Sequence, residues 1–305
     1  MNYRHHFHAG NFADVMKHAL LIGLVRAMQR KPKGCLLLDT HAGGGAYDLS
    51  LAGTGDSLAR KPEHPDGIGR LWAGTGLPPL LADYVALIRS FDAARRDAEA
   101  SPGDDAGPRY YPGSPWILRT LARPQDRLVV CERHTEECEA LRMSLGREKG
   151  TVVREMNGYQ APAALLPPPE RRALVLIDPP FEDADEGERI VETLAEGLRR
   201  LPAGTFAVWY PLTGRAKPDA LLGELGNLAL PPTLAVELVI DPGAPKMRGC
   251  GLVVVNPPWQ FDAVAGPAGR HLAAVLAQAP GAGASLRWLV PEQLSGRSSA
   301  PGGAR

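Results

Sequence analysis

GCLLLDTHAGGGAYDLS, residues 34–50, joins a short apolar run to an aspartate, a histidine and three consecutive glycines. Residues 35–38 read as a buried strand, Asp39 as the carboxylate at its end, and Gly43-Gly44-Gly45 as a tight loop leading onward. A strand running into a glycine-rich loop opens many nucleotide-binding α/β folds. By itself the loop is weak evidence, because glycine-rich turns also occur where nothing binds. The flanking segments decide what it belongs to.

Upstream, residues 11–30 read as an amphipathic helix, with Asn11 as N-cap, Asp14 in the first turn and Pro32 closing the far end. Downstream, residues 127–132, 151–156, 173–178, 205–210, 234–240 and 251–256 read as further strands. Segments long enough for crossover helices separate most of them, which predicts a doubly wound, mostly parallel α/β sheet. The last two are joined only by DPGAPKMRGC (241–250), too short for a crossover and suited to an antiparallel hairpin. The expected architecture is therefore a seven-stranded, Rossmann-like sheet with a C-terminal antiparallel hairpin. Between Asp48 and Tyr111 no strand-like run appears, so 48–111 reads as an inserted helical subdomain. Residues 1–47 and 112–292 then form the main domain, and 293–305 is expected to be a disordered tail.

Bulk properties narrow the class. Of 305 residues, 44% are hydrophobic and 22% charged, ordinary for a globular protein, and the formal net charge is zero. No global field advertises a nucleic-acid partner, although a local basic face can be balanced elsewhere. Cys35, Cys131, Cys138 and Cys250 form no CxxC pair and read as reduced, buried thiols. The apolar run at 19–25 is too short to span a bilayer, so no membrane association and a cytoplasmic location are expected. Five of the eight histidines fall in the first 41 residues, but their scatter matches no familiar ligand spacing, and no metal is expected.

In a parallel sheet, ligands bind outside the carboxyl ends of the strands. Those ends carry Asp39, His41 and the glycines, then Glu132, then Asn157-Gly158, then Asp178-Pro179-Pro180-Phe181. Glu132 could accept both ribose hydroxyls of a nucleoside or be a solvated acid; Asn157-Gly158 could meet an adenine edge or be a turn. Together they point to a nucleoside cofactor, either a nicotinamide dinucleotide or S-adenosylmethionine. The last tetrapeptide discriminates. Two prolines make a stiff extended corner, holding the Asp178 carboxylate and the Pro179 carbonyl as acceptors for an exocyclic amine, with Phe181 as a stacking face. This order of motifs resembles the adenine-N6 branch of the S-adenosylmethionine-dependent methyltransferases. Asn256-Pro257-Pro258-Trp259 fits the same loose pattern but follows the seventh strand, and a structural role is expected for it.

YRHHFHAGNFADVMKH, LLLDTHAGGGAYDL, RYYPGSP, CERH, LIDPPF, WYP and VVNPPW are together similar to the bacterial family that methylates adenine N6 in 23S ribosomal RNA, the RlmJ type. The resemblance runs from Tyr3 to about Glu292. It implies that His18, His41, Ser114, Glu132, Asn157, Gly158 and Asp178 contact S-adenosyl-L-methionine. It makes Asp178, with Pro179 and Phe181, the catalytic corner and places Tyr3 at the RNA. Asn157 stands where that family usually has Asp. The implied partner is 23S ribosomal RNA, protein-free or in an early assembly intermediate, acted on by a monomer. A DNA adenine-N6 methyltransferase and a non-catalytic nucleotide-binding module are the alternatives. Arg26, Arg30, Lys31, Lys33, Arg95, Arg96, Lys246 and Arg248 are candidate phosphate contacts, with the insertion and the 241–250 loop expected to flank the active-site mouth.

Overall fold

Asn11 starts the first helix by accepting hydrogen bonds on its side-chain oxygen from the N–H groups of Ala13 and Asp14. In the computed structural model, which describes residues 7–53, 61–98, 107–145 and 149–292, α1 (Phe12–Met28) leads into β1 (Leu36–Asp39). Then come β2 (Ala46–Asp48), α2 (Ile68–Trp72), α3 (Pro79–Ala98), β3 (Tyr110–Pro112), α4 (Ser114–Leu121) and β4 (Arg127–Glu132). The rest comprises α5 (Thr135–Leu145), β5 (Thr151–Glu155), α6 (Ala161–Leu165), β6 (Ala173–Ile177), α7 (Glu186–Arg200) and β7 (Thr205–Leu212), then α8 (Ala216–Asn227), β8 (Thr233–Val239), β9 (Gly249–Val255), α9 (Phe261–Leu276) and β10 (Gly283–Val290).

The main sheet has the order β10-β8-β9-β7-β6-β1-β4-β5. From β5 to β7 every pairing is parallel, whereas β9 runs antiparallel to both β7 and β8. This is the expected doubly wound sheet, with eight strands where seven were expected. The extra one, β10, pairs antiparallel with the outer edge of β8. Its residues are half-exposed, and Ser285 and Arg287 alternate with Ala284, Leu286 and Trp288, a period-two pattern that covers only a short stretch and that sequence reasoning missed. What makes it a strand is the row of backbone groups β8 would otherwise leave unpaired.

Strand side chains alternate between two cores. Leu37, Leu128, Val130, Leu174 and Leu176 face one; Leu36, Leu38, Val129, Val175 and Ile177 face the other. Both layers are dry, which explains why these strands read as continuous apolar runs.

Two expectations are corrected here. Helix α1 is not amphipathic: 14 of its 17 residues are buried, because α3, α4 and α9 all pack against it. Segment 48–111 is not strand-free either. β2 and β3 pair antiparallel, Ala46 with Pro112 and Asp48 with Tyr110, and tie its two ends together. Three-residue strands leave no legible period, so only the closure of the chain reveals them. Leu81, Tyr84 and Ile88 of α3 join the same core as α1.

Candidate active site

Asp178 follows the last residue of β6, and the two prolines after it end the strand. Phe181 then adopts φ +55, a left-handed conformation that a bulky residue rarely takes and that recurs at functional corners. Its ring meets Trp209 of β7 edge-to-face, with centroids 5.7 Å apart.

The Asp178 carboxylate does not stand alone. Lys17, one turn into α1, donates from Nζ to Asp178 Oδ2 at 2.7 Å and also pairs with Asp14 Oδ1 at 2.9 Å. All three side chains are nearly buried. Burial opposes a charge on Lys17, yet two carboxylates hold its pKa well above the ordinary lysine value. Burial lifts Asp178 above the ordinary carboxylate range, while the ammonium draws it back. Asp178 Oδ1 has no hydrogen bond among the described residues and remains an acceptor. Lys17 also lies 6.0 Å from the Trp209 ring centroid.

β1 lies between β4 and β6 with their ends level, so the next residues crowd into one cavity. Asp14, Lys17, His18, His41, Ala42, Tyr47, Gly113, Ser114 and Asp178 line it. Asp39, fully buried, accepts the His41 N–H at 3.2 Å while its Oδ2 has no hydrogen-bond partner among the described residues. Burial pushes its pKa up to about 7, eased by the Ser114 hydroxyl and reinforced by Asp178. Burial, with Arg133 nearby, lowers His41 to about 4, so its imidazole is neutral. Its Nε2 is buried without a partner, and its ring meets Tyr159 edge-to-face at 4.8 Å. His18 Nδ1 shares a 2.8 Å hydrogen bond with the Tyr111 hydroxyl, which in turn reaches Tyr84 at 3.0 Å.

The glycines are needed where they stand. Gly43 and Gly45 adopt φ +61 and +83, and a Cβ on Gly158 would lie only 1.9 Å from the Thr40 carbonyl oxygen. Glu132 is locked at the end of β4: its two oxygens accept the N–H groups of Gly43 and His134 at 2.9 and 2.8 Å. Asn157 is exposed and its Oδ1 caps the Tyr159 N–H at 3.1 Å.

Thus His18, His41, Ser114, Glu132, Gly158 and Asp178 converge, with Asn157 at their margin and Phe181 on the outer side. Tyr3 lies outside the described residues, as do His5, His6 and the 293–305 tail. Sequence reasoning missed Asp14 as a partner of Lys17 and Trp209 as a wall beside Phe181. For Asp14 a signal existed: Asp14, Lys17 and His18 share one helix face at i, i+3 and i+4. Of the basic candidates, Arg96 is bound to Asp92 and to the Gly107 carbonyl, and Arg95 stacks over Phe91 and Trp116. The 241–250 loop does lie at the carboxyl edge, because β8 runs parallel to β7.

A doubly wound sheet with one antiparallel inner strand, a glycine loop after β1 and an acid closing β4 defines a Rossmann-like methyltransferase of class I. Residues 32–290 match the family model described as Ribosomal RNA large subunit methyltransferase D, RlmJ. Two proteins named Ribosomal RNA large subunit methyltransferase J, from Haemophilus influenzae and Escherichia coli, are 36% and 35% identical over 294 residues. Those alignments cover 96% of this chain and the whole of each relative. The chain belongs to this family. A crystal structure of a Legionella pneumophila protein superimposes with a TM-score of 0.79 at 31% identity, covering 92% of this chain and 97% of that one. No described helix is long and apolar enough to cross a membrane.

Proposed function

We propose that this chain transfers the methyl group of S-adenosylmethionine to the N6 amine of an adenine in 23S ribosomal RNA. The observation that carries the reading is the Asp178-Pro179-Pro180-Phe181 corner, held by Lys17 beside the glycine loop. Its two relatives are named for methylation of large-subunit ribosomal RNA.

The cavity suits the cofactor. Gly43, Gly45 and Gly158 disfavour side chains, His41 lines the cavity with an Nε2 that has no partner among the described residues, and each Glu132 oxygen retains a lone pair for a ribose hydroxyl. We assign His18, His41, Ser114, Glu132, Asn157 and Gly158 to the cofactor, with Asp178 at its reactive end. S-adenosylmethionine supplies an electrophilic methyl group on sulfur. The protein supplies the rest. Asp178 Oδ1 and the Pro179 carbonyl accept the two hydrogens of the adenine amine, freeing a nitrogen lone pair otherwise delocalised into the ring. Lys17 fixes the carboxylate's rotamer in advance, so that no reorganisation is required during transfer. Asp178, raised by burial, is suited to take the proton released. Phe181 gives the extruded base a face to stack on, and Tyr3 is assigned to the RNA. Residues 48–111 act as an inserted helical subdomain. The enzyme works as a cytoplasmic monomer on protein-free rRNA or an early assembly intermediate.

The test is methyl transfer from labelled S-adenosylmethionine to protein-free 23S rRNA from cells lacking the enzyme, read by nucleoside mass spectrometry. N6-methyladenosine that disappears with Asp178→Ala supports the reading. Incorporation into duplex DNA instead, or cofactor binding with no product on either nucleic acid, sinks it.

A further inference from the structure

The edge of the sheet opposite Asp178 carries a second structured feature. Past the end of α1, Arg30-Lys31-Pro32-Lys33 forms a turn whose carbonyls point inward. Arg123 donates to the carbonyls of Gln29, Lys31 and Lys33, Gln125 to that of Pro32, and Arg172 to those of Met28 and Lys33. With its carbonyls so engaged, the turn presents the exposed side chains of Arg30, Lys31 and Lys33 outward. None of these three has a carboxylate partner among the described residues. Asp126, which pairs with Arg123, is buried.

Beside this turn stands the Asn256–Trp259 corner. Arg30 donates to the Trp259 carbonyl at 3.2 Å, and Thr205 bridges the Asn256 carbonyl and Met28. Asn256 and Gln260 both adopt positive φ, +50 and +61, on either side of the prolines. Two strained residues thus hold a corner whose Trp259 ring is 69% exposed. Core packing has no use for that ring.

We propose that Arg30, Lys31, Lys33 and Trp259 form a second RNA-contact surface, where the cations meet phosphates and Trp259 stacks on an unpaired base. The proposal rests on the RNA reading above and extends it. Clustered cations beside an exposed aromatic, with the nearby Asp126 and Glu170 carboxylates engaged by Arg123 and Arg127, match the chemistry of nucleic acid. The surface lies a strand length from Asp178, roughly 20 Å at 3.3 Å per residue. A duplex stem of about six or seven base pairs spans that distance, so the surface is reached only by RNA whose stem continues at least that far from the target nucleotide.

The experiment measures binding of a long RNA, a 23S rRNA fragment whose stem continues at least about ten base pairs from the target adenine, and of a short stem-loop with only about three base pairs beside it, across a salt series. It compares the wild type with Lys31→Glu/Lys33→Glu and, independently, Trp259→Ala. For the long RNA each variant is expected to lose roughly tenfold in affinity, and the charge variant to show a salt slope shallower by about two. Stem-loop binding and S-adenosylmethionine affinity are expected to stay at wild-type values. Unchanged long-RNA binding in both variants overturns the proposal, as does equal loss on both RNAs. A wild-type protein that binds neither RNA fails before any variant is compared, and removes the RNA reading together with this one.

Discussion

Asp178-Pro179-Pro180-Phe181 and Asn256-Pro257-Pro258-Trp259 share one pattern and differ in almost everything that matters chemically. Both end a buried strand, and both contain a residue at positive φ, Phe181 in the first and Asn256 in the second. The first follows β6, which runs with its neighbours β1 and β7, so it emerges beside the glycine loop and under Lys17. The second follows β9, which runs against β7, so it emerges at the opposite edge. There the Asn256 amide is fully occupied, donating to the carbonyls of Pro202 and Gly204 at 2.8 and 2.9 Å. A tetrapeptide supplies acceptors and an aromatic ring; strand direction decides what they face.

Substitutions can break this contrast, beginning with the largest effect. Asp178→Asn gives the first corner the polar group of the second, and methyl transfer is expected to fall roughly 10²–10⁴-fold with cofactor still bound. Single-turnover methylation checks this, and the reciprocal Asn256→Asp should leave the rate unchanged.

The carboxyl edge also differs from the opposite edge in its pH response. Folding lifts Asp39 from 3.8 to about 7, so the folded protein holds a proton there that the unfolded chain has lost. That contribution to stability is fully present below about pH 4 and disappears as pH rises to 7. Asp39→Asn should therefore narrow the loss of unfolding free energy between pH 5 and pH 8, by an amount on the order of a few kcal/mol, read by denaturant unfolding at each pH. An unchanged pH profile would show that Asp39 is not buried as charged-state-averse as its position implies.

At Asn256 the expected effect is on stability, because its side chain is spent on hydrogen bonds within the protein. Asn256→Ala leaves two strand-end carbonyls unpaired and should cost about 1–3 kcal/mol in denaturant unfolding. The methylation rate per folded molecule should hold. Smallest of all, Phe181→Tyr keeps the ring and the contact with Trp209, and KM for RNA should change by less than about twofold, as exposed-edge changes usually cost little. A large change in KM would give the ring edge a role beyond stacking.

Much of this was legible in the chain. Six of the eight strands of the main sheet announce themselves because both faces of the sheet are dry there, and a buried strand is a run of apolar residues; β5, at the edge and largely exposed, was legible only from its short β-branched run. The rim residues were legible for a related reason: a strand's carboxyl end is fixed by the residue that ends it, and Asp39, Glu132 and Asp178 each do so. β10 escaped because its alternation spans only Ala284 to Trp288 and its place beside β8 is set by a pairing that no local pattern records. The amphipathic reading of α1 failed because three helices from distant parts of the chain cover it, and local polarity carries no record of them. Arg95 and Arg96 read as phosphate contacts although Phe91 and Asp92 stand four residues before them, a helical spacing the sequence does show; only the Trp116 and Gly107 contacts needed the fold.

What the sequence determined by itself was the alternation of strands and helices, the glycine loop, and the residue types waiting at each strand end. These are local, since backbone stereochemistry and burial act over a few neighbouring residues. What only the tertiary structure decided was partnership. Lys17 and Asp178 are 161 positions apart, and they meet because α1 packs across the sheet with its first turn over the end of β6. The two proline corners were told apart in the same way, by the direction of the strand beneath each, which hydrogen bonding across the sheet sets and no tetrapeptide encodes.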